Sequence, residues 1–72
     1  MNSYDKEQIR EAYNWMLDKA DDARFKATQW CNRAGEQPDD LTYDLYCKAN
    51  SVEYAAKAET YDACAMILAV FI

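Results

Sequence analysis

The three cysteines are the side chains of this sequence best suited to covalent or metal chemistry. They stand at positions 31, 47 and 64, and the sequence contains no histidine. A thiolate nucleophile needs a neighbouring base, and a tetrahedral zinc site needs four thiolate or imidazole ligands at short spacings. An odd number of cysteines also leaves one thiol outside any disulfide framework. We therefore expect three reduced, buried, structural cysteines, no metal and no cofactor.

Glu59 is the carboxylate that the helical pattern of the chain places among apolar residues. Two interpretations stay open: a core glutamate that pairs with Tyr13 or Arg10, and a functional carboxylate. The functional role would need a second acid or a histidine, which the pattern does not supply. Two serines and a single glycine also give no hydroxyl triad and no phosphate-binding loop. The sequence thus predicts that the protein is not an enzyme.

The scarcity of glycine and proline predicts an all-α chain with one turn. Each occurs once, at Gly35 and Pro38, whereas hairpins and multistrand sheets consume both residue types. Gly35 suits the left-handed position just past a helix end, and Pro38 suits the first turn of the next helix. Asp5 can cap the first helix. We predict one domain, a long antiparallel two-helix hairpin over residues 1–72, with a helix over about 4–34, a turn over 35–38 and a helix over about 38–72.

Apolar residues at spacings of three and four predict how the two helices pack. On the first helix this coiled-coil spacing is followed by Ile9, Tyr13, Met16, Ala20, Ala23, Ala27, Trp30 and Ala34. The matching seam on the second helix, into which Glu59 falls, consists of Leu45, Ala49, Val52, Ala56, Ala63, Met66 and Val70. Alanines at the middle of both seams permit close approach, so we expect the two seams to face each other.

The second helix has another apolar face opposite this seam. We call it the tyrosine face, and it consists of Tyr43, Cys47, Tyr54, Ala58, Tyr61, Ala65, Leu68 and Ile72. A helix that is apolar on two opposite sides is covered on both, and the first helix covers only one of them. The cover is either a second copy of the chain, giving a four-helix bundle, or a different protein. The predicted self-association residues are Tyr43, Cys47, Tyr54, Tyr61, Leu68, Phe71 and Ile72.

The outer face of the first helix alternates aromatic and acidic residues. Exposed tryptophan and phenylalanine lower solubility unless a partner uses them. Three alternatives to a partner stay open: a further copy covers the aromatics, Trp15 and Phe25 fold back onto flanking residues, or the acids form an ordinary solvated row. The predicted partner-binding residues on this α1 outer face are Tyr4, Glu7, Glu11, Trp15, Asp18, Asp22 and Phe25.

The net charge of −5 comes from 13 acidic and 8 basic residues, and the acidic excess lies in residues 35–72. Phosphate contacts need lysine and arginine, so this balance argues against direct binding of DNA or RNA. It suits an acidic protein that occupies the groove of a basic, nucleic-acid-binding protein. The apolar tail ACAMILAVFI extends only about 15 Å as a helix against about 30 Å of membrane core, so we expect no membrane contact.

These observations predict a small, acidic, cytoplasmic, non-enzymatic regulator that binds a protein. Phages and mobile elements encode inhibitors of this kind, which occupy a binding surface of a host or defence protein that handles nucleic acid. The alternative is a self-assembling structural or accessory subunit of a helical-bundle complex, with a homodimer as its unit. A small-molecule-binding bundle ranks last, because the sequence shows no convergent polar cluster.

Overall fold

Two long helices packed side by side make up the part of the chain that the structure describes. The structure, a computed structural model, describes residues 5–72, so the predicted partner-binding residue Tyr4 lies outside the described residues. Helix α1 spans Lys6–Arg33 and helix α2 spans Leu41–Ala69, and the molecule measures 58 × 14 × 12 Å. The predicted all-helical hairpin is confirmed.

Aspartates begin both helices. The Oδ1 atom of Asp5 accepts a hydrogen bond of 3.0 Å from the backbone N–H of Gln8, as the sequence predicts. At α2 the cap is Asp40, whose Oδ1 accepts from the N–H of Tyr43 at 2.9 Å. The second helix therefore starts at Leu41, three residues after the predicted Pro38.

The connection between the helices differs from the prediction in two ways. Pro38 lies in a turn closed by a 3.0 Å bond from the Asp40 N–H to the Gln37 carbonyl, and proline favours the second position of such turns. Gly35 has no positive φ, so the predicted left-handed helix end is wrong. Instead the right-handed winding continues through Ala34, and the N–H of Glu36 bonds to the carbonyl of Arg33 at 3.0 Å.

Two aromatic pairs fix the antiparallel register. Trp15 meets Tyr61 with ring centroids 5.9 Å apart, and Trp30 meets Tyr46 at 5.5 Å, both edge to face. Fifteen residues forward along α1 therefore correspond to fifteen residues backward along α2. Between these pairs, the Ser51 hydroxyl donates a 3.0 Å hydrogen bond to a backbone carbonyl of α1, that of Ala27.

The contact between the helices is built from small residues. The buried residues of α1 are Ala20 and Ala23, and Ala34, the residue directly after the helix, is buried as well. All three belong to the predicted seam, so the face assignment of α1 is confirmed. On α2 the buried residues are Cys47, Ala58 and Ala65, and all three belong to the tyrosine face. Helix α1 therefore covers the tyrosine face, with alanines permitting close approach and the large rings closing the sides.

This packing overturns the predicted inner seam of α2. At about 100° per residue that seam lies opposite the tyrosine face, and all its residues are exposed. Glu59 is exposed with them, so the prediction of a core glutamate beside Tyr13 or Arg10 is wrong. The prediction of three buried cysteines also fails, because Cys31, in the last turn of α1, is exposed.

Candidate protein-binding surface

The main unpartnered feature of the described chain is one exposed face of α2. We call it the α2 outer face, and it consists of Leu45, Ala49, Val52, Ala56, Glu59, Ala63, Met66 and Val70. Every one of these residues is exposed, and Val52 and Val70 keep 69% and 80% of their surface open. Leu41, Ile67 and Phe71 extend the apolar surface at its ends. From Leu41 to Val70 a helix rises about 44 Å.

The spacing along this face is that of a coiled-coil helix. Its eight positions alternate steps of four and three residues, which keeps them in one stripe along the whole of α2. Because the tyrosine face is held against α1, the α2 outer face points away from the hairpin. The fold therefore presents a complete coiled-coil seam for which residues 5–72 supply no partner helix.

The exposed area is large for a chain of this size. A compact monomer of 8.4 kDa exposes about 4,600 Å² of surface, whereas this chain exposes 5397 Å². The excess is similar to the roughly 800 Å² that each partner buries in a protein–protein interface of standard size. The large apolar residues on the α2 outer face and at its ends, each 56–80% exposed, are Leu41, Leu45, Val52, Met66, Ile67, Val70 and Phe71. The elongated hairpin thus exposes more surface than a compact chain of its mass.

Charged side chains flank the α2 outer face. Lys48 pairs with Asp44 at 2.9 Å and Lys57 pairs with Glu53 at 3.2 Å, all four being residues of α2. An apolar centre with a charged rim is the usual composition of protein–protein interfaces. Glu59 is the exception, since it stands within the apolar stripe.

The structure places the predicted self-association residues mainly against α1. Cys47 is completely buried, and the half-buried residues are Tyr43, Tyr54, Tyr61, Leu68 and Ile72. The pKa of Tyr43 is raised, mainly by a hydrogen bond to the Cys47 thiol and secondly by burial. Phe71 differs, because 56% of its surface is exposed beside the α2 outer face. In this hairpin α1 therefore occupies the position that the sequence pattern assigned to a second copy.

The predicted partner-binding residues of α1 are separated by the structure into two groups. Trp15, 50% exposed, leans towards α2 to meet Tyr61, and the Lys19 Nζ lies 5.4 Å from its ring centroid. Phe25 is 62% exposed. The acidic members, Glu7, Glu11, Asp18 and Asp22, are exposed as well. The prediction that aromatic and acidic groups share one open face therefore describes Phe25 better than Trp15.

Sequence reasoning missed a groove between the helices. It has a volume of about 240 Å³ and is lined by Lys19, Asp22, Ala23, Lys26, Tyr54, Lys57 and Tyr61. The Nζ atoms of Lys26 and Lys57 lie 5.6 and 5.0 Å from the Tyr54 ring centroid. Asp22 bonds Lys26 at 3.1 Å and raises the pKa of that lysine. The one sequence signal for this groove is the seven-residue spacing of Lys19 and Lys26, which places both lysines on the same side of α1.

Residues 5–72 were expected to form neither a metal site nor a membrane-spanning segment. From Asp5 onward, no cysteine, aspartate and glutamate side chains form a group of three or more that would hold a metal ion. Neither α1 nor α2 is both long enough and apolar enough to cross a membrane.

Comparison with known proteins gave no match, either to a protein-family model, to a curated protein or to a solved structure. A function for this chain is therefore inferred from its surface.

Proposed function

We propose that this chain is a non-enzymatic protein-binding module of the cytoplasm that acts through the α2 outer face. The observation that carries the proposal is a complete coiled-coil stripe, exposed along the whole of α2 and rimmed by charges. Because burial of apolar surface stabilises a complex by about 25 cal/mol per Å², this stripe provides a strong driving force for association. It has the chemistry to bind an apolar helix face.

The occupant we propose is a second copy, so that two hairpins form a homodimer of four helices. The surface that each chain exposes beyond that of a compact monomer is similar to what one partner buries in a standard interface. A coiled-coil stripe fits an exposed helix with apolar residues at the same spacing, and the α2 outer face of a second copy is such a helix. The sequence also predicts self-association, but through the tyrosine face. We now propose that it takes place through the α2 outer face.

Light scattering after size-exclusion chromatography tests this proposal. We expect a particle of twice the 8.4 kDa chain mass at micromolar concentration, dissociating on dilution. Circular dichroism at the same concentrations monitors helix content, which separates dissociation from unfolding. A folded chain that stays monomeric at high micromolar concentration would contradict self-association.

A second candidate function uses the exposed part of the α1 outer face. Phe25 is exposed beside acidic residues. On such a surface the aromatic ring can anchor a protein partner, and the acidic side chains attract a partner that is basic. The proposal is that the chain inhibits a nucleic-acid-handling protein of a host or a defence system by occupying its basic surface.

Phe25→Ala distinguishes this candidate from self-association. We expect the variant to lose most of its binding to a basic, nucleic-acid-binding protein from the native host, while remaining a dimer. Added salt should also weaken the binding of the wild-type chain. Gln29→Ala, one turn further along α1, is the matched control and should bind normally. Equal capture by the wild type and Phe25→Ala would eliminate this candidate.

A further inference from the structure

We infer that the two copies pair antiparallel along α2, about a two-fold axis that crosses the helices at the level of Tyr54. This inference rests on the proposed self-association and specifies its geometry. The helices then lie in the order α1, α2, α2 of the second copy, α1 of the second copy. The antiparallel direction and the register follow from three properties of the α2 outer face: the alternation of large and small side chains, the single charged residue and the length of the helix.

Size alternates strictly along most of the stripe. Alanine fills every second position, at 49, 56 and 63, and larger side chains stand between them. In a parallel pair each residue meets its own copy, so layers of two alanines alternate with layers of two large residues. In an antiparallel pair centred on this part of the stripe, each layer between positions 45 and 63 joins one alanine to one larger residue. Layers of equal volume fill the interface without cavities, and this favours the antiparallel pair.

Glu59 gives an independent reason for the same direction. A parallel pair would place the two Glu59 carboxylates against each other inside the apolar stripe, where like charges repel strongly. The antiparallel pair separates them and brings each one opposite Ala49 of the second copy. Lys48 of that second copy, the residue before Ala49, then lies next to Glu59 at the edge of the interface. The charge that disrupts a parallel stripe is thus compensated in the antiparallel one.

The length of α2 sets the register. Helix α2 spans Leu41–Ala69, so its two copies overlap most when the axis lies near the middle of that range. The register with the axis at the level of Tyr54 keeps almost the full overlap and gives equal-volume layers: Leu45 faces Ala63 and Val52 faces Ala56. It also brings Thr42 opposite Met66 of the second copy, and Leu41 to the level of Ile67. Glu53 meets its own copy at the exposed rim, where Lys57 already pairs with it at 3.2 Å.

The order of the four helices follows from where the two apolar faces of α2 lie. The tyrosine face and the α2 outer face are about 180° apart around the helix. With α1 on one side, the second copy must lie on the opposite side. The assembly is therefore a layer of four helices with the two α2 helices in the middle, rather than a square bundle.

Cross-linking of single cysteines tests the direction and the register together. The background chain carries Cys31→Ser, Cys47→Ala and Cys64→Ala, and light scattering first establishes that it remains a dimer. Leu45→Cys and Ala63→Cys are then made in separate chains and oxidised alone and as a mixture. We expect a covalent dimer from the mixture only, because identical cysteines lie about 27 Å apart along the axis in the antiparallel pair.

The outcomes separate this inference from the proposal it rests on. A covalent dimer of Leu45→Cys with itself would mean a parallel pair, which overturns the inference and leaves self-association intact. A dimer that gives no cross-link in any mixture would place the contact elsewhere and overturn it too. A monomeric wild-type chain would remove the proposed self-association itself. If the triple background alone is monomeric, the same cross-links are made with Cys47 and Cys64 retained, since neither is exposed.

Discussion

Replacing Ala23 with glutamate is expected to unfold most of the chain. Ala23 is 4% exposed at the contact between α1 and α2, so a glutamate side chain there is forced between the helices. Its carboxylate reaches the lysines of the adjoining groove only if the two helices move apart, and otherwise it stays buried without a partner. An unpaired buried charge belongs to the class of substitutions that cost about 4 kcal/mol or more. A domain of 72 residues has a stability of roughly 4–11 kcal/mol, so this loss removes much or all of it. Urea denaturation followed by circular dichroism measures the change.

Ala12→Glu is the matched control for this prediction. It makes the same chemical change on the same helix, but Ala12 is exposed. Glutamate and alanine differ little in helix propensity, so we expect the control to change the free energy of unfolding by less than about 1 kcal/mol. Similar destabilisation by the two substitutions would mean that the closely packed face of α1 has been misassigned.

The face of α1 could be predicted from sequence because this helix has a single apolar stripe. Ala20, Ala23 and Ala34 repeat at helical spacing while acids and bases occupy the other side, so one assignment satisfies the pattern. The aspartate cap at Asp5 was predictable for a similar reason, since capping depends only on local chemistry. The start of α2 was not, because proline suits both the first turn of a helix and the turn that precedes it.

The face of α2 could not be assigned from periodicity. Its two stripes have the same three-and-four spacing, and both contain alanines, so the pattern is satisfied with either stripe inside. The choice depends on how the faces fit α1. Tyr61 and Tyr46 bring large rings to the edges of Trp15 and Trp30, an arrangement worth about 0.5–1.5 kcal/mol per pair beyond burial. Spacing alone contains no information about such pairs.

The same ambiguity limits how far the candidate surface is predictable from the sequence. The residues of the α2 outer face were all identified as a coiled-coil seam, but they were assigned to the contact within the chain. The sequence also predicts a second cover on α2, and this prediction does not depend on which of the two faces is inside. The groove around Tyr54 could not be predicted from the sequence, because its lysines come from both helices and only the three-dimensional register brings them together.

Val52→Asp is expected to convert the dimer into folded monomers. Val52 is 69% exposed in the single chain, so an aspartate there is hydrated and the hairpin stays intact. In the proposed dimer the residue lies beside the two-fold axis, so one substitution buries two unpaired carboxylates in the interface. An unpaired buried charge costs several kcal/mol, so the dimer dissociation constant should rise by at least about 100-fold. Light scattering across a dilution series measures that constant.

Gln29→Asp is the control for Val52→Asp, because it adds the same charge to α1, on the opposite side of the hairpin. It should leave the dimer dissociation constant within about threefold of the wild-type value, since an exposed charge at that distance is largely screened. Helix content should be unchanged in both variants. Loss of helix together with loss of the dimer in Val52→Asp would mean that Val52 stabilises the fold itself. A fully dimeric, helical Val52→Asp chain would place the self-association surface outside the α2 outer face, because no apolar interface accommodates two such charges without loss.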